Sequence, residues 1–286
     1  SRTRVGALTF LGGVHLTSRD PAFGGYSSLA VTGDRFTMLS DGGNAASFRM
    51  GADWRPADIG FTNLPGGPGE GWKKADRDSE SMAIDPRTGT IWAGFEGANA
   101  IWRYAPGFAR VEGHVAPAAM KRWDVNGGAE SLVRLHDGRF LAISETTRGP
   151  RVPVPMRRGR QALIFAGDPV ADSRPALRFT YMPPNGYDPA DATELPDGRL
   201  LVLNRAFDLP FVFTNILVLI DPREIREGAT VTGRAIATLA PPLIHDNFEG
   251  VAATRESGAT MLWLVSDDND AALLERTLLL KFRLDV

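Results

Sequence analysis

One pattern recurs five times along this chain, and that recurrence limits the possible folds more than any other feature. A small or acidic residue opens a short apolar strand, a turn follows, a second apolar strand returns, and a polar or charged residue stops it. The openings fall at Ser27, Glu80, Glu130, Asp191 and Glu249, so they stand 53, 50, 61 and 58 residues apart. Turn-forming residues join each pair: Thr32-Gly33-Asp34, residues 86–89, Asp137-Gly138, Pro196-Asp197-Gly198 and Glu256-Ser257-Gly258. That period is the length of one four-stranded propeller blade with variable loops.

Further strands complete the units. Third strands are expected at 47–50, 101–104, 163–166 and 216–220, and fourth strands at 108–114, 176–181 and 230–239. After the fifth hairpin, residues 277–284 supply a third strand and nothing remains for a fourth. The apolar stretch 5–11 can fill that place, closing the ring with strands from both ends and hiding its sheet edges. Helical periodicity is weak, with short candidates at 221–227 and 269–276. The expected fold is all-β: one domain over residues 1–286, a single β-propeller of four-stranded blades. Five blades fit best, and a sixth would need a divergent blade within 53–78 or 146–189.

Composition supports this and excludes several chemistries. Thirty-one glycines and 20 prolines suit many tight turns, and 43% hydrophobic residues suffice for a sizeable core. With no cysteine there is no disulfide, thiolate metal site or cysteine nucleophile. A net charge of −2 gives no reason to expect nucleic acid or an anionic membrane as partner. The longest apolar run, residues 209–220, contains Pro210, Thr214 and Asn215 and is too short for a bilayer span. No Gly-x-Ser-x-Gly elbow, His-Glu-x-x-His helix or phosphate-cradling Gly-Lys loop is present.

In a propeller the innermost strand lines the central channel and the second strand returns beside it. The start of the first and the end of the second therefore emerge on one face. The strand starts gather Glu80, Glu130, Asp191 and Glu249, with Ser27 in the fifth place. The strand ends gather Asp41, Glu96, Glu145 and Asp267, with Arg205 as the one basic member. Carboxylates packed this closely must raise their pKa values or be neutralised by a cation. An all-oxygen set suits Ca²⁺ first, then Mg²⁺ or Mn²⁺. The plain alternative is a set of solvated loop ends, but the same place filled by an acid in four of five repeats favours a shared site. His15 and His245 fall between blades, as a further ligand or a general base. Arg77, Arg148, Lys73 and Lys74 flank the same face, and Arg205 is either a counter-charge or a clamp for an anionic substrate.

The wording of the repeats resembles a known family. The carriers are Tyr26-Ser27-Ser28-Leu29-Ala30 with Leu39-Ser40-Asp41-Gly42-Gly43, Asp78-Ser79-Glu80-Ser81-Met82-Ala83-Ile84-Asp85, and Asn126-Gly127-Gly128-Ala129-Glu130-Ser131-Leu132. Leu201-Val202-Leu203-Asn204-Arg205, Asn247-Phe248-Glu249-Gly250-Val251-Ala252 and Val265-Ser266-Asp267-Asp268-Asn269 complete the set. Together they resemble the phytase-like family described as having esterase-like activity. The resemblance implies a β-propeller exported by bacteria, hence periplasmic or secreted. The acidic strand starts are also similar to those of gluconolactonase-type propellers, where a Glu, an Asn and an Asp hold a divalent metal. Here Glu130 stands where an Asn would be expected.

Two functions follow as expectations. The first is a metal-dependent hydrolase of small anionic esters or phosphoesters, acting as a monomer. The metal sits on Glu80, Glu130, Asp191 and Glu249, Arg205 holds the anionic end, and Glu145 or His245 moves the proton. Asp41, Glu96, Asp267, Arg77, Arg148 and His15 surround that core. The second is a non-catalytic binding propeller with a structural metal, and lactonase chemistry is the remaining variant.

Overall fold

Five antiparallel sheets stand in a ring, in a computed structural model that describes residues 4–70, 76–124, 128–145, 159–208, 212–268 and 276–286. Blade I comprises Tyr26–Thr32, Arg35–Ser40, Asn44–Met50 and Pro56–Asn63 from the axis outward. Blade II comprises Ser79–Ile84, Ile91–Phe95, Ala100–Tyr104 and Val111–Val115. Blade III comprises Ala129–Arg134, Phe140–Ser144, Arg160–Phe165 and Pro175–Tyr181, and blade IV Asp188–Glu194, Leu200–Asp208, Val212–Ile220 and Arg234–Leu239. Blade V comprises Phe248–Glu256, Ala259–Ser266, Leu278–Leu284 and then Leu8–His15. Each innermost strand touches the innermost strand of the next blade, and that of blade V touches blade I, so the ring is closed.

Closure works as the repeat count requires. Leu8–His15 pairs antiparallel with Leu278–Leu284, from Leu8 opposite Leu284 to His15 opposite Leu278. The strand lies a few residues later than 5–11, because Gly6 turns the chain at φ 56° and sends Arg4–Val5 back along its outer edge. Phe10 meets Phe282 across the joint, with ring centroids 5.4 Å apart.

Middle strands read as nearly unbroken apolar runs because both faces of every blade are buried against neighbours. The core is correspondingly divided into five clusters, one in each gap between blades. Phe36 of blade I meets Trp263 of blade V edge-on at 4.7 Å, and Trp92 of blade II meets Phe140 of blade III at 4.9 Å. Such pairs add about 0.5–1.5 kcal/mol beyond burial.

Four expectations change. Pro56–Asn63 is the fourth strand of blade I, so residues 53–78 hold no extra blade among the described residues. The strand expected at 230–239 is split: Thr230–Val231 pairs parallel with blade III, and Arg234–Leu239 returns to blade IV. Gly233 makes the break at φ 63°, where a Cβ would lie 2.6 Å from the Leu219 carbonyl oxygen. The expected strand 108–114 is a 3₁₀ turn at Pro106–Phe108 followed by Val111–Val115. The helix expected at 221–227 is only a 3₁₀ turn, Pro222–Glu224, with Asp221 accepting from the Arg223 amide. Residues 269–275 of the other helical candidate lie outside the described residues.

Candidate metal centre

Every innermost strand carries the same defect at its start. The pairing with the second strand skips one residue between Tyr26 and Ser28, Ser79 and Ser81, Ala129 and Ser131, Pro189 and Asp191, and Phe248 and Gly250. The skipped residues are Ser27, Glu80, Glu130, Ala190 and Glu249. A bulge of this kind re-aims a side chain out of the pleat, and here it repeats around the axis. The second strand is fixed just as regularly beside it, at its end in four blades and, in blade IV, at Arg205, three residues short of the end at Asp208. The amides of Asp41, Glu96, Glu145 and Asp267 donate to the carbonyls of Gly25, Asp78, Gly128 and Asn247 at 2.9–3.3 Å, and Arg205 pairs with Asp188 in the ladder. Gly25 sits at φ 63°, and a Cβ there would come within 2.8 Å of Asp41 Oδ1.

The carboxylates converge on the side of blades II and III. Oxygens of Asp78, Glu80 and Glu96 lie within 4.8 Å of one another, and so do those of Glu96, Glu130 and Glu145. Glu130 is only 8% exposed. No donor or cation makes a hydrogen bond or ion pair with it among the described residues. Burial, then the charges of Glu80, Glu145 and Glu96, push its carboxyl well above the usual range. Burial with the charges of Asp78, Glu96 and Asp41 does the same to Glu80. Glu96 is pushed up to about 8 by burial and by Asp78. Glu145 is also raised by burial, although Arg205 beside it opposes the shift.

The other side of the mouth belongs to an arginine. Arg205 Nη1 donates to Asn247 Oδ1 at 3.1 Å and pairs closely with Glu249, while Nη2 reaches Glu145 Oε1 at 3.4 Å. Asn247 Nδ2 donates to Glu249 at 2.9 Å, closing a trio. Arg160 pairs with Asp188 on the same side.

Several expected members are placed differently. Asp191 is not in the inner ring: it stands one residue past the bulge, where Ala190 takes the slot. Its carboxylate accepts from the amides of Ala192 and Val251, both at 2.8 Å, and so clasps blade IV to blade V. Ser28 does the same job between blades I and II, accepting from the Met82 amide at 3.0 Å. Glu249 occupies its bulge but belongs to the Arg205 trio and to neither carboxylate group. Ser27 donates across the blade boundary to the Ser79 carbonyl at 2.7 Å. His15 is exposed at the end of the fourth strand of blade V. Three strand spacings, about 14 Å, separate that strand from the axial one. Arg77 lies against Gly43 and Gly67 between blades I and II rather than in the ring. His245 is half-buried two residues before Asn247, with Nδ1 2.8 Å from the Leu243 carbonyl. Arg148, Lys73 and Lys74 lie outside the described residues.

Asp78 and Asn247 were not singled out from the sequence. Both occupy the position two residues before the bulge, filled in turn by Gly25, Asp78, Gly128, Asp188 and Asn247. That third column of the repeat was the available signal.

The cluster passes a simple geometric test for a hard cation. Calcium–oxygen bonds of 2.3–2.6 Å allow two ligand oxygens to stand up to about 5 Å apart across the ion. Each three-carboxylate group fits inside that limit, and every donor is an oxygen, the chemistry Ca²⁺, Mg²⁺ and Mn²⁺ prefer.

Fold and mouth together define a five-bladed propeller with a partly buried acidic centre at one end of its channel. The chain belongs to the phytase-like family described as "esterase-like activity of phytase", whose pattern matches residues 21–270. No curated protein matches it. Several solved structures match along most of the chain at low identity. A hypothetical protein from Leishmania major shares 15% identity over 95% of this chain and 89% of its own (TM-score 0.47). The Kuenenia stuttgartiensis hydrazine synthase shares 11% over 93% and 82% (TM-score 0.46), and a luciferin-regenerating enzyme 14% over 90% and 76% (TM-score 0.44). Nothing about the chemistry of this chain follows from likeness at that level.

Proposed function

We propose that the acidic mouth is the active site of a divalent-cation-dependent hydrolase that cleaves ester or phosphoester bonds in small anionic substrates. The observation that carries this reading is Glu130: a buried, unpartnered carboxylate held within 4.8 Å of two others. A chain keeps so costly an arrangement where a cation or a reaction needs it. Glu80, Glu96 and Glu130, with Asp78 and Glu145 at the edges, would hold the ion, Ca²⁺ by first preference and Mg²⁺ or Mn²⁺ next. When bound, such an ion supplies Lewis-acid polarisation of the scissile group and neutralises the carboxylates.

The remaining roles belong to side chains of the chain itself. Arg205 orients the anionic end of the substrate. Glu145, with a carboxyl raised by burial, carries a proton to the leaving oxygen. His245 is the other proton carrier: if Nδ1 donates to Leu243, Nε2 is left as the basic nitrogen. The proposal includes a periplasmic or secreted location, which the family resemblance supports, and action as a monomer; a net charge of −2 gives no reason to add nucleic acid.

Cation analysis joined to ester, phosphoester and lactone hydrolysis assays tests the reading. Glu130→Gln is expected to weaken cation binding by about 10–100-fold and to lower kcat/KM at least as much. A wild-type protein that binds no Ca²⁺, Mg²⁺ or Mn²⁺ overturns it. Retained cation without turnover in any assay leaves the binding propeller instead.

A further inference from the structure

The five places where the second strand meets the residue two before the bulge are equivalent in register; four hold acids, while blade IV, whose second strand runs on to Asp208, holds Arg205. That one substitution divides the mouth. On the side of blades II and III, Asp78, Glu80, Glu96 and Glu130 form no salt bridge among the described residues. On the side of blades IV and V, Ala190 leaves the bulge without a carboxylate, and Glu249 is taken by Arg205 and Asn247.

The two arms of the guanidinium are held unequally. Nη1 is locked into the trio with Asn247 and Glu249. Nη2 spans 3.4 Å to Glu145, well beyond the roughly 2.7–2.9 Å of a strong charge-assisted bond. Glu145 is therefore the looser partner, and it is also one of the three carboxylates grouped around Glu96 and Glu130. A divalent ion at about 2.4 Å would attract it roughly three times as strongly as a single positive charge at the arginine's distance.

We propose that Arg205 is a built-in counter-cation, anchored to blade V by Nη1, which yields Glu145 to an incoming divalent cation so that Nη2 becomes free to receive the anionic group of a substrate. The proposal rests on the reading of the mouth as a cation site. It adds a coupling: cation loading creates the anion site, so the two bind cooperatively. It also names the substrate class more narrowly, as molecules carrying an anionic group next to the bond to be cut, because the freed arm lies beside the cation-binding carboxylates. An anion that binds first strengthens the cation site by the same factor.

Calorimetric titration of the whole chain tests this with Ca²⁺ alone, inorganic phosphate alone, and phosphate in the presence of saturating Ca²⁺. Wild type is expected to bind phosphate at least about fivefold more tightly with Ca²⁺ present. Arg205→Met is expected to bind Ca²⁺ about tenfold more tightly than wild type, because the competing charge is gone, and to lose the phosphate enhancement. Unchanged or weaker Ca²⁺ binding in a folded Arg205→Met overturns the proposal and leaves the cation site standing. If wild type binds no Ca²⁺ but Arg205→Met does, Arg205 blocks the site without yielding Glu145, and the proposal is overturned. If neither binds, the proposal and the cation-site reading both fall. Circular dichroism checks the fold, and should Arg205→Met fail to fold, Arg205→Lys replaces it. Lysine keeps the charge without the second arm, and its Ca²⁺ affinity is expected between the other two. A Lys variant identical to wild type in both titrations overturns the proposal.

Discussion

The two mouths of the channel are made by the same ten strands, yet their charges follow opposite rules. At the far mouth, where tight turns join first and second strands, acids and bases are matched. Asp85 pairs with Arg134 of the next blade at 3.3 Å, and Glu194 takes both the His136 amide at 2.5 Å and its ring at 3.4 Å. Asp137 and Asp197 are each held by an arginine two residues on. The carboxyls of Asp85, held first by the Arg87 amide, and of Asp137 and Asp197 lie below their usual range, while burial raises that of Glu194 in spite of its His136 partner. At the near mouth Glu80, Glu96, Glu130 and Glu145 are all raised. The near rim therefore carries the larger group of raised carboxyls, and the contrast between the rims is what the following measurements test.

Breaking the near mouth gives the largest expected effect, and its sign is unusual. Without a divalent cation at pH 8, Glu130→Gln should raise Tm by several degrees, since an unpaired buried carboxylate is removed. The same variant should lose cation binding, so Ca²⁺ raises the Tm of wild type and not of Glu130→Gln; thermal melts with and without Ca²⁺ read both. A variant destabilised at pH 8 without cation would mean that Glu130 is paired after all.

The pH response is next in size. The near-mouth glutamates hold protons in the folded state that the unfolded chain has already released above about pH 4.5. Stability without cation should therefore fall as pH rises from about 4.5 to about 8, the value to which Glu96 is pushed. The expected drop is on the order of 5 °C in Tm. Saturating Ca²⁺ should flatten or reverse the slope, because the ion competes with those protons. A cation-free Tm that climbs over this interval would remove the near mouth as the dominant titrating region.

Asp191→Ala sharpens the division between ring and clasp. Two amides, those of Ala192 and Val251, lose their acceptor, which costs about 1–3 kcal/mol. Urea unfolding should show that loss while Ca²⁺ affinity stays within twofold of wild type. Arg134→Met at the far mouth is the smallest change. Its partly exposed ion pair with Asp85 is worth under about 1 kcal/mol, and cation binding should not move.

How far the sequence could be read depended on which kind of residue carried the information. The repeat was visible because blade hairpins are buried on both faces and must be apolar. Pro56–Asn63 was not, because an outermost strand facing solvent can contain Pro56, Asp58 and Gly60 without penalty. The near-mouth ring was found at Glu80 and Glu130 by aligning acids. The same rule failed at Pro189-Ala190-Asp191, where the bulge falls on the alanine. A slip of one residue reverses the face on which a strand side chain lies, so Asp191 became a clasp. Asp78 and Asn247 escaped notice since their column also contains two glycines, and only the ladder shows that the column is continuous. Arg205 stood out at once, but its unequal grip on Glu145 and Glu249 depends on distances that no spacing encodes.

The joint between Leu8–His15 and Leu278–Leu284 sets a timetable for the growing chain. Leu8–His15 precedes its blade partner Leu278–Leu284 by the whole of blades I to IV, so the edge that this partner covers stays open until blade V is made. Long-range closure of that kind is slow. Blades I to III can assemble their share of the mouth earlier, and with it all five clustered carboxylates. The Asn247–Glu249 anchor arrives with the final blade. A nascent chain thus holds its negative charges together before the arginine that offsets them has anything to lean on, and a cation in the surroundings would act first as a folding partner.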